Sequence, residues 1–476
     1  MYRFAMKFLQ SWKEPPDRKP LVIRGARQVG KSSLARMFAD SSFENIFEVN
    51  FEEDKKAAGY FKTQPPAKTI ALLETDKSVT IKPGKTLLFL DEIQAAPEVL
   101  ASLRYFYEHM PQLHIIAAGS LLDFVLEDHS FSMPVGRIEY LHLGPMTFEE
   151  YLLAAGKEKR LNALQNFTVT DKSFSLLHSA FMEDFRDYCV IGGMPAAVKA
   201  YIESGSYLTT ERIQEGILAT YRDDFSKYAK QVNHARLQKV FSRLPLLVGQ
   251  KFKYTNLDRH EQSRDLAKTI DMLELARIIR RILHSDANGI PLGAEINERY
   301  FKILFLDVGL LCRACGLSMT DVHNAGDIML INSGAVCEQF IGQHLMFTRK
   351  YYEDPQLYCW MRQKHNTSAE VDFLIQAGIN IVPIEVKAGK TGTLKSLHVF
   401  VGEKKCDFAI RFNADIPSVL DMQTSVAGKP THDFRLLSLP LYLVGQTQRL
   451  CREAITQKSP HIEPQDGITS GSPMDS

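Results

Sequence analysis

Gly25-Ala26-Arg27-Gln28-Val29-Gly30-Lys31-Ser32 is an unbroken G-x-x-x-x-G-K-S, a spacing whose chemistry is phosphate binding. The glycines let backbone N–H groups wrap the phosphates, and a helix starting at Lys31 turns its positive end toward them. In such a loop the lysine, here Lys31, reaches the β/γ-phosphates, and the hydroxyl, here Ser32, holds Mg²⁺. Residues Gly25 to Ser32 together with Ser33 form the expected nucleotide-binding set. Downstream, the apolar run Thr86-Leu87-Leu88-Phe89-Leu90 ends in Asp91-Glu92, which suits a strand buried on both faces that delivers acids to the ligand crevice. Asp91 fits metal ordering; Glu92 fits orienting and deprotonating an attacking water. Ser120, closing the run His114 to Gly119, either touches the γ-phosphate or caps the next helix. A cation must offset transition-state charge, and Arg137 is the leading candidate, ahead of Arg104 and Arg27.

A second constellation lies near the C-terminus. Glu370-Val371-Asp372-Phe373-Leu374-Ile375 and Ile381-Val382-Pro383-Ile384-Glu385-Val386-Lys387 read as a hairpin around Ala377-Gly378. Side chains alternate along a strand, so Glu385 and Lys387 share a face on which Asp372 converges. Two carboxylates and a lysine, with Glu338 upstream, can hold Mg²⁺ and activate a water. An inactive salt-bridged hairpin fits the same residues equally well.

These residues need elements to position them. Leu21-Val22-Ile23 is a strand before the loop, and Ser33 to Phe38 is helical. Phe47 to Phe51 supplies a further strand between the first and the acidic one, Glu98 to Met110 an amphipathic helix, and Ile138 to Leu143 a last strand. Residues 1–150 are thus expected to form an α/β, parallel-sheet P-loop domain. Thr147 with Glu150 forms a capping box that opens a helical region over 151–235, interrupted at Gly192-Gly193-Met194-Pro195. Arg222-Asp223-Asp224-Phe225 reads as a solvated helix face. Over 236–325 the order helix, helix, β-hairpin is that of a winged helix, a fold that can enter a DNA groove. Its Arg264, Lys268, Arg277, Arg280 and Arg281 are offset by Asp265, Asp271 and Glu274. Residues 326–445 carry the second constellation, and 446–476 read as a tail, disordered by composition from Ser459.

The core D…E-x-K resembles that of PD-(D/E)xK nucleases, with Asp372, Glu385 and Lys387 in the matching positions. The ordered set Arg24 to Ser32, Leu90-Asp91-Glu92-Ile93-Gln94, Ala118-Gly119-Ser120, Gly192-Gly193-Met194-Pro195 and Glu385-Val386-Lys387 resembles a bacterial and archaeal family of AAA-like ATP-binding proteins. These carry a C-terminal domain of unknown function with a nuclease-like core. The resemblance spans about residues 1 to 445, and implies ATP and Mg²⁺ as cofactors and a three-part architecture.

Composition narrows the partners. The 476 residues carry a formal net charge of +1, so any DNA contact must be local. Seven cysteines from Cys189 to Cys451 suggest a reducing, cytoplasmic setting. The lone Cys312-x-x-Cys315 reads as buried thiols. No apolar run of membrane-spanning length appears, and Met1 to Pro20 lacks a signal-peptide core. A homo-oligomer, in which an arginine crosses a subunit interface, stays open. Three readings follow: a Mg²⁺-dependent ATPase whose nucleotide state regulates a nucleic-acid-acting domain, an ATP-driven binding switch, and, disfavoured by Asp91-Glu92, a small-molecule kinase.

Overall fold

Three short apolar runs, each bounded by polar residues, become the central strands of the first sheet. Its strands are β1 (Leu21–Arg24), β2 (Asn45–Asn50), β3 (Thr86–Asp91), β4 (His114–Gly119) and β5 (Glu139–His142), in the order β2-β3-β4-β1-β5. All pairings are parallel. The strand inserted between β1 and the acidic β3 is therefore β4, while β2 sits at the edge. Both β3 and β4 are buried along their whole length, as helices on both faces require. This computed structural model describes all residues except 63–64, 121, 128–133, 135, 229–232, 318–332, 349, 363–368, 391, 425, 427–429 and 457–476.

The exit from this sheet follows local chemistry. Thr147 accepts from the Glu150 amide while the Glu150 side chain accepts from the Thr147 amide, starting the helix Phe148–Ala154 with the expected capping box. Further helices run to Tyr207–Tyr228, with Pro195 opening Pro195–Ser204. The middle segment supplies the helices His234–Arg243 and Ser263–Leu275, then β6 (Ile279–Ser285) and β7 (Ile296–Phe305).

One expectation needs correction here. β6 and β7 are not a free wing: β6 also pairs in parallel with β8 (Tyr358–Met361). With β9 (Glu370–Ala377), β10 (Asn380–Val386), β11 (Phe408–Asn413), β12 (Ser418–Gln423) and β13 (Asp433–Pro440) they make one eight-stranded sheet, ordered β12-β13-β11-β10-β9-β8-β6-β7. The boundary drawn at 325/326 thus runs through a single sheet. The tail also starts later than residue 446, because Thr447–Thr456 is helical and buries Leu450, Cys451 and Ala454. The segment from Ser459 lies outside the described residues.

Packing ties these parts together. Leu21, Ile23 and Phe38 of the first sheet layer share a core with Phe225, Phe241, Leu273 and Phe305. The helices after Met146 share another with β9 to β11. Cys312 is buried and Cys315 partly so, both as free thiols. Among the described residues no helix is long and apolar enough to cross a membrane.

Candidate functional site

The phosphate loop turns through Gln28 and Gly30, with φ of 65° and 93°, the second being one that glycine adopts without strain. Lys31 then begins the helix Lys31–Ser42. Its Nζ donates to the carbonyls of Gly25 at 3.1 Å and Ala26 at 2.8 Å, so the ammonium lies within the loop's own concavity. Burial pushes the Lys31 pKa down to about 8, against the opposing pull of Glu92 and Asp91.

Asp91 ends β3 buried beside Ser32, with which it shares a hydrogen bond, and burial raises its pKa. A hydroxyl and a carboxylate so placed fit Mg²⁺, a hard cation that takes few protein oxygens beside phosphate. Glu92 has a φ of 50°, and Gln94 Nε2 donates to its Oε2 at 2.6 Å. The Ser120 hydroxyl is buried with no hydrogen-bond partner among the described residues, which marks it as a donor awaiting an acceptor. Gly30, Lys31, Ser32, Glu92 and Ser120 line one cavity of about 680 Å³.

The structure does not bring Arg137 there. Its Nε donates to Glu108 at 3.0 Å on the surface, and Arg104 likewise bonds Tyr105 at 2.8 Å. Arg27 lines the cavity but is ion-paired to Asp224. Lys199 and Arg3 are the other cationic side chains at the cavity wall.

Sequence reasoning missed what braces the loop. Asp224 is 7% exposed and Phe225 is buried, so only Asp223 and in part Arg222 of that segment face solvent. Tyr221, one turn earlier, donates its hydroxyl to the Arg27 carbonyl at 2.7 Å. Residues three apart share a helix face, and that spacing was the available signal. From the other side Arg3 donates to the carbonyls of Val29 at 2.9 Å and Gly144 at 2.8 Å, and pairs with Glu150 at 3.1 Å. The Gly192-Gly193 turn is held by Asp307, which accepts from the Gly193 amide at 2.7 Å, and sets Pro195 close over Gly30. Asp123 bridges Arg24, the residue before the loop, to Arg277, the residue two before β6.

The second constellation also assembles. Ile384 pairs with Phe373 in the antiparallel β9–β10 ladder, so Glu385 comes opposite Asp372. Lys387 Nζ donates to Glu385 Oε1 at 2.5 Å, while Glu385 Oε2 is buried without a partner among the described residues. Glu338, on the helix Ser333–Phe347, joins them. Sequence reasoning missed the central group. Lys302 of β7, 1% exposed, donates to Glu338 Oε2 at 3.0 Å and to Asp372 Oδ1 at 3.0 Å, and pairs with Glu370. Asp372 Oδ2 accepts from the Val386 amide at 2.8 Å. A lysine inside the apolar run Tyr300 to Phe305 was the overlooked signal.

This arrangement does not fit a divalent metal ion. Both Asp372 oxygens are engaged, and an ammonium already sits between Asp372, Glu338 and Glu370. Burial and the neighbouring Asp372 push the carboxyls of Glu338 and Glu385 up, which also disfavours bare carboxylate ligands. Among the described residues no cluster of three metal-ligating side chains has cation-binding geometry.

Comparisons with known proteins agree with the first site. Residues 17–152 match the family model of an AAA domain. Residues 182–321 and 333–417 match two domains of unknown function, DUF8612 and DUF4143. No curated protein matches the chain. Among solved structures, a Walker-type ATPase of Pyrococcus abyssi aligns at 15% identity and TM-score 0.42, over 65% of this chain and 94% of that one. The ORC2 protein of Aeropyrum pernix aligns at 12% identity and TM-score 0.34, over 68% and 92%. The family match alone places an AAA-like domain at residues 17–152.

Proposed function

We propose that the chain is a Mg²⁺-dependent ATPase whose nucleotide state is passed to its C-terminal sheet. The observation carrying this reading is the convergence of Lys31, Ser32, Glu92 and Ser120 on one cavity, with Asp91 hydrogen-bonded to Ser32 behind it. Gly25 to Ser33 cradle the phosphates, with the loop amides and Lys31 meeting their charge. Ser32, with Asp91 behind it, would hold Mg²⁺, which would supply neutralisation of the phosphate charge. Glu92 orients a water and takes its proton as the water oxygen bonds the γ-phosphorus and the ADP oxygen leaves. Ser120 donates to the γ-phosphate or to that water. Arg27 and Lys199 are better placed than Arg137 to face the developing charge.

The C-terminal partner reading divides. The β8–β9–β10 meander with β11 parallel to β10 suits a PD-(D/E)xK-like core, with Asp372, Glu385 and Lys387 at its centre. The ammonium of Lys302 within that centre favours the second reading, a switch in which the sheet binds DNA or a protein partner without cutting it. Arg264 and Lys268 are exposed for such contact, whereas Arg277 and Arg281 are tied to acids.

The decisive experiment measures fluorescent ATP-analogue binding and phosphate release for the wild type and Lys31→Ala. Loss of both in the variant is expected; unchanged turnover would overturn the assignment.

A further inference from the structure

We propose that Lys302 is a built-in cation of the C-terminal centre. Its ammonium takes the position that a divalent metal takes in a nuclease of this topology, so the wild-type centre holds no metal. The inference rests on the PD-(D/E)xK-like reading of β8 to β11 and is independent of the ATPase reading.

Three observations carry it. The first is place: Lys302 projects from β7, opposite Ile282 of β6, onto the face that also receives the helix Ser333–Phe347. It reaches the centre from outside the four-strand core, three strands beyond β9. The second is coordination. An ammonium has three N–H donors, and Lys302 meets three carboxylates, Glu338, Asp372 and Glu370. Every donor is matched, so the lysine belongs where it is and needs no further ligand. The third is what remains. Asp372 spends its second oxygen on the Val386 amide and Glu385 spends one on Lys387. Of the four oxygens of Asp372 and Glu385, only Glu385 Oε2 has no partner among the described residues, and one oxygen does not hold Mg²⁺ or Mn²⁺. A metal could enter only if the Lys302 ammonium left, and that departure would strand a buried carboxylate set without its counter-charge.

The chemistry that follows differs from a nuclease's. With no metal to activate a water, the part-exposed Lys387 and Glu370 form a metal-free polar patch beside the buried centre. Such a patch recognises a ligand by hydrogen bonding and does not cleave it.

The test titrates nucleotide-free full-length protein with Mn²⁺ and follows free Mn²⁺ by electron paramagnetic resonance. Wild-type protein is expected to bind none at this centre. Lys302→Met, which keeps the length of the stem and removes the charge, is expected to gain one Mn²⁺ site. That site should be at least about tenfold tighter than anything in the wild type, and lost again in Lys302→Met/Asp372→Asn. A wild-type Mn²⁺ site that disappears with Asp372→Asn overturns the proposal. So does a folded Lys302→Met protein with no gained site. Should that variant not fold, lysine acylation of the wild type read by mass spectrometry decides. Lys302 is expected to stay unreactive with and without Mg²⁺; becoming reactive when Mg²⁺ is added overturns the proposal. Phosphate release from ATP, measured alongside, reports separately on the first site.

Discussion

The Tyr221 hydroxyl donates to the Arg27 carbonyl at 2.7 Å, so a helix from the second half of the chain's helical region holds the phosphate loop of the first sheet. Asp224 on the same face pairs with the Arg27 side chain. The loop's conformation is thereby set by groups about 195 residues away, |i−j| being 194 for the first contact and 197 for the second.

Tyr221→Phe removes one part-buried hydrogen bond to the loop, a change that costs about 1 kcal/mol. Because the cost falls on the loop, ATP binding should weaken several-fold while the protein stays folded. Fluorescent-nucleotide titration beside a thermal melt separates the two effects. A melt that collapses with affinity unchanged would contradict the bracing role.

ATP binding should depend on pH through Lys31. In the free protein burial has pushed its pKa down to about 8, so above that pH the free site carries a neutral amine. Phosphate favours the ammonium and raises the bound pKa. Between the two values binding must take up a proton, and affinity falls as pH rises through 8 toward 9. Calorimetry in buffers of different ionisation enthalpy should show proton uptake at pH 8.5 and little at pH 6.5. Equal proton uptake at both would refute it.

Arg3→Ala should destabilise the fold as well as the site. Arg3 and Glu150 have side-chain exposures of 7% and 2%, and removing one partner of a buried pair costs about 3–5 kcal/mol. The Phe4 amide, which donates to Glu150 at 2.7 Å, softens this toward the lower figure. Urea unfolding measures it, and a loss under about 1 kcal/mol would place the pair in the class of surface bridges.

Asp123 makes an acid-sensitive joint. Burial raises its carboxyl pKa, but Arg277 and Arg24 outweigh burial and hold the folded value below the usual one. A depressed carboxyl pKa gives stability that is present above the unfolded value, near about pH 4, and is lost as pH falls through the lower folded value. Asp123→Asn should therefore lower the melting temperature at pH 7 and make far less difference near pH 3. It should also loosen the link between the ATP site and β6. Equal losses at both pH values would exclude the charge as the cause.

Legibility differed by range. The loop, the acids after β3, the Thr147–Glu150 capping box and the Asp372/Glu385 register were readable because each is local: a fixed spacing, a strand end, an i to i+3 bond, a two-residue alternation. The surroundings of Arg137 were not readable, for the opposite reason. Position before a strand says nothing of which neighbour a long side chain meets, and Glu108 took it. The wing failed similarly, since a hairpin's outer edge is free until the chain shows what pairs with it; here β8 does.

By itself the sequence determined what neighbouring residues make together: a phosphate-loop motif, a pair of acids at the end of β3 and a D…E-x-K hairpin. Tertiary structure alone decided which distant groups complete or block those sites. Tyr221 and Asp224 close over the loop, and Lys302 enters the carboxylate centre. The physical reason is that a backbone conformation follows from nearby residues, whereas the partner of a buried charge is chosen by whatever packing brings within hydrogen-bond reach.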